Sequence, residues 1–235
     1  MITDVKRDVK RMAQWSVVAL FAALAGCASD RAHDPADVSR TDVERAQATL
    51  EAFRGDPQMA GFREQLRDAK GVIIAPRVGR GGFIFGGSGG SAVALLREAN
   101  GQWSNPAFYR IASASFGAQI GGDVSEMVML LMSDRAVNAL LNPQFVLGAD
   151  LSVAAGPVGI GAQRDINADV LSYTRARGAY VGVSVGGSAI RPNNAANQAF
   201  YGKSVQPADI LVRRNVSNPE SASLRRSLQQ VASAK

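Results

Sequence analysis

Two short segments of the sequence match parts of motifs that bind nucleotide phosphates, and both are incomplete. Gly202-Lys203-Ser204 matches the end of a P-loop, but Asn197 stands where the pattern requires its first glycine. The glycine-rich run at residues 87–92 imitates a dinucleotide-binding loop, but it continues into β-forming residues rather than into a helix. The sequence therefore does not support nucleotide binding by these motifs, and we expect no cofactor.

Side chains that could carry out catalysis are scarce. His33 is the single histidine and Cys27 the single cysteine, so no serine–histidine–aspartate triad and no histidine or cysteine metal site can form after residue 33. A carboxylate site is the remaining option, and it could draw on Asp123, Glu126, Asp150, Asp165 and Asp169. We interpret these acids as solvated or paired with arginine, so we expect the protein not to be an enzyme, with a carboxylate-dependent enzyme as an alternative.

The lone cysteine follows a segment with the pattern of a secretory signal. Basic residues precede an apolar stretch at residues 12–26, which is too short to span a membrane. The stretch ends in Leu24-Ala25-Gly26-Cys27, which has the form of a bacterial lipobox. We predict a signal peptide at residues 1–26 and acylation of Cys27, for example by palmitate, with an ordinary buried thiol as the alternative reading.

Residues 27–39 are polar, contain a proline and lack periodicity, so they predict a flexible tether between the lipid anchor and the domain. By analogy with lipoprotein sorting, Ala28 rather than aspartate after the cysteine favours the outer membrane. The expected location is therefore the cell envelope, with an outer-membrane anchor and a domain that faces the periplasm.

The charge of the chain is moderately basic, with 26 basic and 20 acidic residues and a formal net charge of +6. All nine basic residues between positions 71 and 202 are arginine, whose planar fork binds phosphate in a bidentate way. Codon use in a GC-rich genome is the alternative explanation. In an envelope, this balance favours anionic lipid headgroups over nucleic acid as the partner.

The pattern of apolar residues divides the chain into a helical and a β-rich part. Helical spacing predicts two N-terminal helices within residues 40–70. From residue 71 to 202 lie 21 of the 24 glycines, and short β-forming runs alternate with glycine clusters that we interpret as turns. Further helices are expected at 133–141, 193–201 and 219–232. The predicted fold is mainly β with flanking helices (α+β), a compact, curled, antiparallel, barrel-like sheet in a domain at residues 71–235.

Six segments resemble, in order and spacing, the SYLF domain family known from endocytic proteins of yeast and animals and from bacterial lipoproteins. The likeness covers residues 69–202. The segments are Ala69-Lys70-Gly71-Val72, Arg80-Gly81-Gly82-Phe83, Gly101-Gln102-Trp103-Ser104-Asn105-Pro106, Ser152-Val153-Ala154-Ala155-Gly156-Pro157, Gly182-Val183-Ser184-Val185-Gly186-Gly187-Ser188-Ala189-Ile190 and Asn197-Gln198-Ala199-Phe200-Tyr201-Gly202.

The resemblance implies a compact antiparallel β fold with flanking helices and binding of phospholipids. It also implies lipid-phosphate contacts at Arg80, Arg175 and Arg177, to which we add Arg77 as a helper. Gly186 departs from the family pattern, because many relatives have an acidic residue there. The sequence thus predicts a lipoprotein that binds anionic phospholipid headgroups. The alternative is a structural or scaffolding lipoprotein that binds another envelope protein.

Overall fold

Two helices precede the first strand of the described chain, three follow the last strand, and one short helix lies between β-strands. The computed structural model describes residues 34–82, 85–116, 121–156, 167–176, 179–180 and 185–233. Residues Pro35–Lys235 form one compact unit. The α-helices are α1 (Pro35–Gly55), α2 (Ala60–Asp68), α3 (Asp134–Ala139), α4 (Asn194–Tyr201), α5 (Pro207–Leu211) and α6 (Ala222–Ser233), and short 3-10 turns at Pro57–Met59 and Pro219–Ser221 precede α2 and α6.

The nine strands of the described residues form one curled sheet. They are β1 (Gly71–Gly82), β2 (Phe85–Leu96), β3 (Ala107–Phe116), β4 (Gly121–Leu131), β5 (Phe145–Val146), β6 (Val153–Ala155), β7 (Val170–Ala176), β8 (Ala179–Tyr180) and β9 (Ala189–Pro192). The order across the sheet is β5-β9-β3-β2-β1-β4-β7-β6, with β8 paired to β7. Every pair is antiparallel except β6 with β7. The expected fold class is confirmed.

The central strands are buried on both faces of the sheet. Val72 and Ile74 point to the face covered by α1, α2 and α6, which we call the helix-side face. Ile73 and Ala75 point to the opposite, inner face, where Leu140 and Ile210 complete the core. Burial on both faces explains why these strands are continuous apolar runs rather than alternating ones.

A β-bulge in β1 changes which face its later residues occupy. Between Ala75 and Val78, β1 advances three residues while β4 advances two, so Pro76 and Arg77 lie opposite the single residue Glu126. A proline has no N–H to donate to a neighbouring strand and is tolerated at bulges. After the bulge Val78 faces inward, so Arg77 lies on the helix-side face and Arg80 on the inner face.

The glycine clusters in β1, β2 and β4 form strand rather than the predicted turns, whereas Gly186-Gly187 lies in a turn. Residues 79–82, 85–90, 112–116 and 121–124 continue β1 to β4 past the helices, and we call this part the glycine-rich extension. Its strands are in register, for example Gly79 with Gly89 and Ala112. The turn prediction failed in the glycine-rich extension because its strands pair with each other, and this pairing satisfies the backbone N–H and C=O groups of glycine as well as those of other residues.

Several helix ends follow the sequence signals, and one helix was not predicted. Ser133 and Asn193 open the predicted helical segments 133–141 and 193–201 and cap α3 and α4, each accepting a hydrogen bond from the backbone N–H three residues later. Helix α1 begins at Pro35, inside the predicted tether, because proline suits the first turn of a helix. Helix α5 has Pro207 at its start and a capping box made by Gln206 and Asp209, but its five residues are too few for a periodic signal.

Nothing in the described ranges is a helix long and apolar enough to cross a membrane. Within the same residues, no cluster of three side chains could hold a metal ion. The predicted signal peptide and Cys27 lie outside the residues that the structure describes.

Candidate anion-binding face

Helix α1 crosses the helix-side face of the sheet, and two of its side chains mark its path. Asp42 accepts a hydrogen bond from the side chain of Ser91 on β2. Thr49 donates a hydrogen bond of 3.1 Å to Glu126 on β4. The helix therefore runs across the strands, and its buried stripe of Val43, Ala46, Leu50 and Phe53 covers the core beside this path.

Beneath α1, polar side chains form a line perpendicular to the strands, which we call the transverse row. Register pairs join Arg191 to Arg110, Arg110 to Ser91, and Ser91 to Arg77. Beyond the bulge the line continues through Glu126, which is paired with Arg175. The transverse row thus separates the helix-covered core from the glycine-rich extension, and it places five charged side chains on one face.

Arg175, one of the predicted lipid contacts, is engaged within the fold. Its Nε donates a 2.7 Å hydrogen bond to Oε2 of Glu126, and its side chain is 22% exposed. The guanidinium also lies 5.7 Å from the ring centre of Phe53. Since Thr49 occupies Oε1 of the same carboxylate, this end of the transverse row is a neutral, hydrogen-bonded cluster.

The other predicted contacts do not lie beside Arg175. Arg80 lies on the inner face, opposite Ser88 on β2 and Asp123 on β4. Arg77 lies on the helix-side face and is exposed. Arg177 lies outside the described residues. The structure therefore separates Arg77 from Arg80, and lipid contact by any of the four residues stays a prediction.

A cavity of about 310 Å³ lies where α1 passes over the bulge. Arg45 from α1 and Arg77 from β1, both exposed, stand on its walls. Its complete lining consists of Asp42, Arg45, Pro76, Arg77, Gly79, Gly89, Gly90 and Ser91. A cavity with two guanidinium groups above a glycine floor can receive a phosphate-sized anion, because the floor leaves room for close approach and the cations supply paired donors.

Two glycines in the cavity floor differ in what the fold requires of them. A Cβ on Gly90 would lie 2.2 Å from the carbonyl oxygen of Arg77, so the bulge can form only against glycine. A Cβ on Gly79 would meet nothing closer than 3.9 Å. Glycine inside a strand costs roughly 0.5–1 kcal/mol relative to alanine. Packing therefore accounts for Gly90 but not for Gly79, which keeps the cavity floor open.

Among the described residues that line the cavity, Asp42 is the one carboxylate, and it is buried. Desolvation raises the pKa of Asp42, while the hydrogen bond from Ser91 and the nearby charge of Arg45 oppose that rise. Burial thus brings Asp42 closer to protonation than an exposed aspartate would be. When ionised, it offsets part of the positive charge of Arg45.

Sequence reasoning missed Arg45, Arg110, Arg191 and Asp42 as members of this face. One signal was available: Asp42, Arg45 and Thr49 have helical spacing and share one stripe of α1. Arg110 and Arg191 could not be placed, because they meet only through the register of β3 with β9. The face of Arg77 depends on the bulge at Pro76, which reverses the alternation of β1.

The sequence model of the family described as "Ysc84: Las17-binding protein actin regulator" matches residues 112–231. The chain belongs to the Ysc84 family. The resemblance to the SYLF domain family is thereby confirmed. The matched span includes Arg175 and Arg191 but begins after the cavity residues, so the family match does not test the cavity.

Three curated relatives of this Ysc84 family member are eukaryotic. Protein YSC84 of Saccharomyces cerevisiae is 32% identical over 205 residues, which cover 82% of this chain and 44% of the relative. SH3 domain-containing YSC84-like protein 1 of Homo sapiens is 35% identical over 182 residues, with 73% and 53% covered. LAS seventeen-binding protein 3 of S. cerevisiae is 32% identical over 187 residues, with 74% and 40% covered. The chain thus spans about half the length of the relatives it matches.

Proposed function

We propose that this protein is an envelope lipoprotein whose Ysc84 domain binds anionic phospholipid through the cavity between Arg45 and Arg77. The observation that carries the proposal is the pairing of two exposed guanidinium groups with an open glycine floor. Glu126 is the acid opposite Arg77, but its two oxygens are occupied by Thr49 and Arg175. Arg77 therefore keeps its charge for an external anion.

The strength of such binding depends on several contacts acting together. A basic side chain near an anionic membrane contributes about 1 kcal/mol, and this contribution falls with rising salt. Arg45 and Arg77 supply the first two contacts in this proposal. Of the other predicted contacts, Arg80 would require a second surface and Arg175 would require release of its pair with Glu126, while Arg177 lies outside the described residues.

Membrane attachment through acylated Cys27 is the second element of the proposal. It is supported by the lipobox at residues 24–27 and by Ala28, which favours an outer-membrane anchor and a periplasm-facing domain. Mass spectrometry of the protein purified from bacterial membranes tests the anchor. We expect a mature chain that begins at Cys27 with added acyl mass, and an unmodified Cys27 in the membrane fraction would contradict it.

A protein partner is the alternative function, and the names of the relatives favour it. The family description and one yeast relative both name binding to Las17, a protein. A scaffolding role in which this domain binds another envelope protein is consistent with those names. The family description names an actin regulator rather than an enzyme, and we propose no enzymatic activity.

Co-sedimentation with vesicles tests the lipid proposal. Residues 28–235 contain the whole compact unit without the anchor. We expect binding to vesicles with anionic lipid, weak binding to neutral vesicles, and release at high salt. The double substitution Arg45→Gln and Arg77→Gln should weaken binding at least tenfold. Substituting two exposed arginines on other elements, Arg213→Gln and Arg226→Gln, is the matched control with the same loss of charge.

If the control pair weakens binding as much as the cavity pair, net charge rather than the cavity governs attachment. If the unaltered domain binds neither kind of vesicle but crosslinks to one envelope protein, the scaffolding function replaces the lipid proposal.

A further inference from the structure

Two arginines at the far end of the transverse row lie directly opposite each other. Arg110 on β3 and Arg191 on β9 are antiparallel register partners, and both side chains are exposed. Directly opposed residues in such a pair have Cβ atoms about 5 Å apart, and like charges at that distance destabilise the sheet. The fold itself therefore gains nothing from this juxtaposition.

No acidic side chain in the described ranges forms an ion pair with Arg110 or Arg191. The contrast with Arg175 is direct, since that arginine has Glu126 as its register partner. Two exposed guanidinium forks held side by side by the backbone present the donor arrangement that binds a phosphate group.

This arginine pair is continuous with the cavity. Ser91 on β2 lies between Arg110 and Arg77 in the transverse row and also lines the cavity. Neighbouring strands are about 4.8 Å apart, so two strand spacings place the backbone of Arg110 roughly 10 Å from that of Arg77. The face thus holds two arginine pairs at a separation that one small headgroup can bridge.

We infer that Arg110 and Arg191 form a second phosphate subsite, and that the face binds a lipid carrying two phosphodiester groups. This inference rests on the proposed phospholipid function and specifies its ligand class. One phosphate occupies the cavity between Arg45 and Arg77, and the other lies between Arg110 and Arg191. Ser91, whose hydroxyl donates to Asp42, lies between the two subsites, beside the linker that joins the phosphates.

The test compares two lipids at equal charge. Residues 28–235 are titrated with neutral vesicles that contain either phosphatidylglycerol, with one phosphate, or diphosphatidylglycerol, with two phosphates bridged by glycerol. The second lipid is added at half the molar fraction of the first, so that both vesicles carry the same phosphate charge. We expect at least tenfold tighter binding to the lipid with two phosphates.

Paired variants assign that preference to the second subsite. Arg110→Gln with Arg191→Gln should abolish the preference, while the domain still binds phosphatidylglycerol through the intact cavity. Arg45→Gln with Arg77→Gln should weaken binding to both lipids. Arg213→Gln with Arg226→Gln should retain the preference. Equal binding of both lipids by the unaltered domain, or a preference that survives loss of Arg110 and Arg191, overturns the inference.

Those results separate this inference from the proposed function. Binding to phosphatidylglycerol without a preference overturns the second subsite alone, whereas no binding to either lipid overturns the proposed function as well. A thermal melt accompanies each variant. Because removal of opposed like charges relieves repulsion, the Arg110→Gln and Arg191→Gln variant should melt at or above the temperature of the unaltered domain. A lower melting temperature would indicate a structural role and overturn the assignment.

Discussion

The two ends of the transverse row use the same residue type in different ways. At one end Arg175 is largely buried, paired with Glu126 and packed on the ring of Phe53. At the other end Arg110 and Arg191 are exposed and face each other. The first arrangement stabilises the attachment of α1 to the sheet, while the second costs stability and leaves charge for a ligand. An arginine therefore indicates a binding site only after its neighbours are known.

The largest effect should come from the bulge that places Arg77 on the helix-side face, between the two ends of the row. Gly90→Ala places a Cβ 2.2 Å from the carbonyl oxygen of Arg77, and the backbone must shift to avoid it. Such overpacking costs about 3 kcal/mol. Urea denaturation measures the loss in free energy of unfolding. Gly79→Ala is the control and should be neutral or slightly stabilising, and similar losses in both variants would refute the close approach at the bulge.

The second prediction contrasts the paired Arg175 with the exposed Arg77, which lies between the two ends of the row. Arg175→Gln leaves the half-buried carboxylate of Glu126 without its cation, and we expect a loss of about 2 kcal/mol in the free energy of unfolding. Arg77→Gln removes an exposed cation and should change that free energy by less than about 0.5 kcal/mol. Chemical denaturation of both variants measures the difference. Equal losses of free energy of unfolding in the two variants would mean that the pair of Arg175 with Glu126 does not stabilise the fold.

The smallest effect concerns Asp42, which lines the cavity between Arg45 and Arg77. Asp42→Asn keeps an acceptor for Ser91 but removes the negative charge near Arg45, so binding to anionic vesicles at neutral pH should tighten about two- to threefold, or about 0.5 kcal/mol. In the unaltered domain, binding should also tighten as pH falls through the raised pKa of Asp42. Co-sedimentation between pH 7 and pH 4 measures both, and the asparagine variant should show a weaker pH dependence.

The same carboxyl has a consequence for stability with a defined sign. Burial raises the pKa of Asp42 above its ordinary value of 3.8, so the folded state retains a proton that the unfolded state has already lost. Its contribution to stability is therefore fully present below pH 3.8 and is lost as pH rises through the folded value. Asp42→Asn should remove this part of the pH dependence in unfolding measurements, and an unchanged curve would show that Asp42 is not desolvated.

The sequence predicted the class of fold because each of its signals is local. Apolar runs such as Val72–Ala75 and the helical spacing within residues 40–70 depend on neighbours within a few residues. The candidate site depends on contacts that no local pattern encodes. Glu126 and Arg175 are 49 residues apart and meet only through the register of β4 with β7. The faces of Arg77 and Arg80 follow from one extra residue at Pro76, and the glycine clusters form strand because they pair with each other.

The position of α1 has a mechanical consequence. Helix α1 opens the compact unit at Pro35, so a pull on the preceding residues is transmitted to this helix first. Its first turns are held by Ser39, which donates to Ala196, and by Arg40, which pairs with Glu220. A helix of 21 residues is about 31 Å long, and this one lies across the strands. Tension on its N-terminal end would therefore break its contacts one after another along the helix. The contact of Asp42 with Ser91 would break before that of Phe53 with Arg175. A tethered domain would open its cavity before it lost its core.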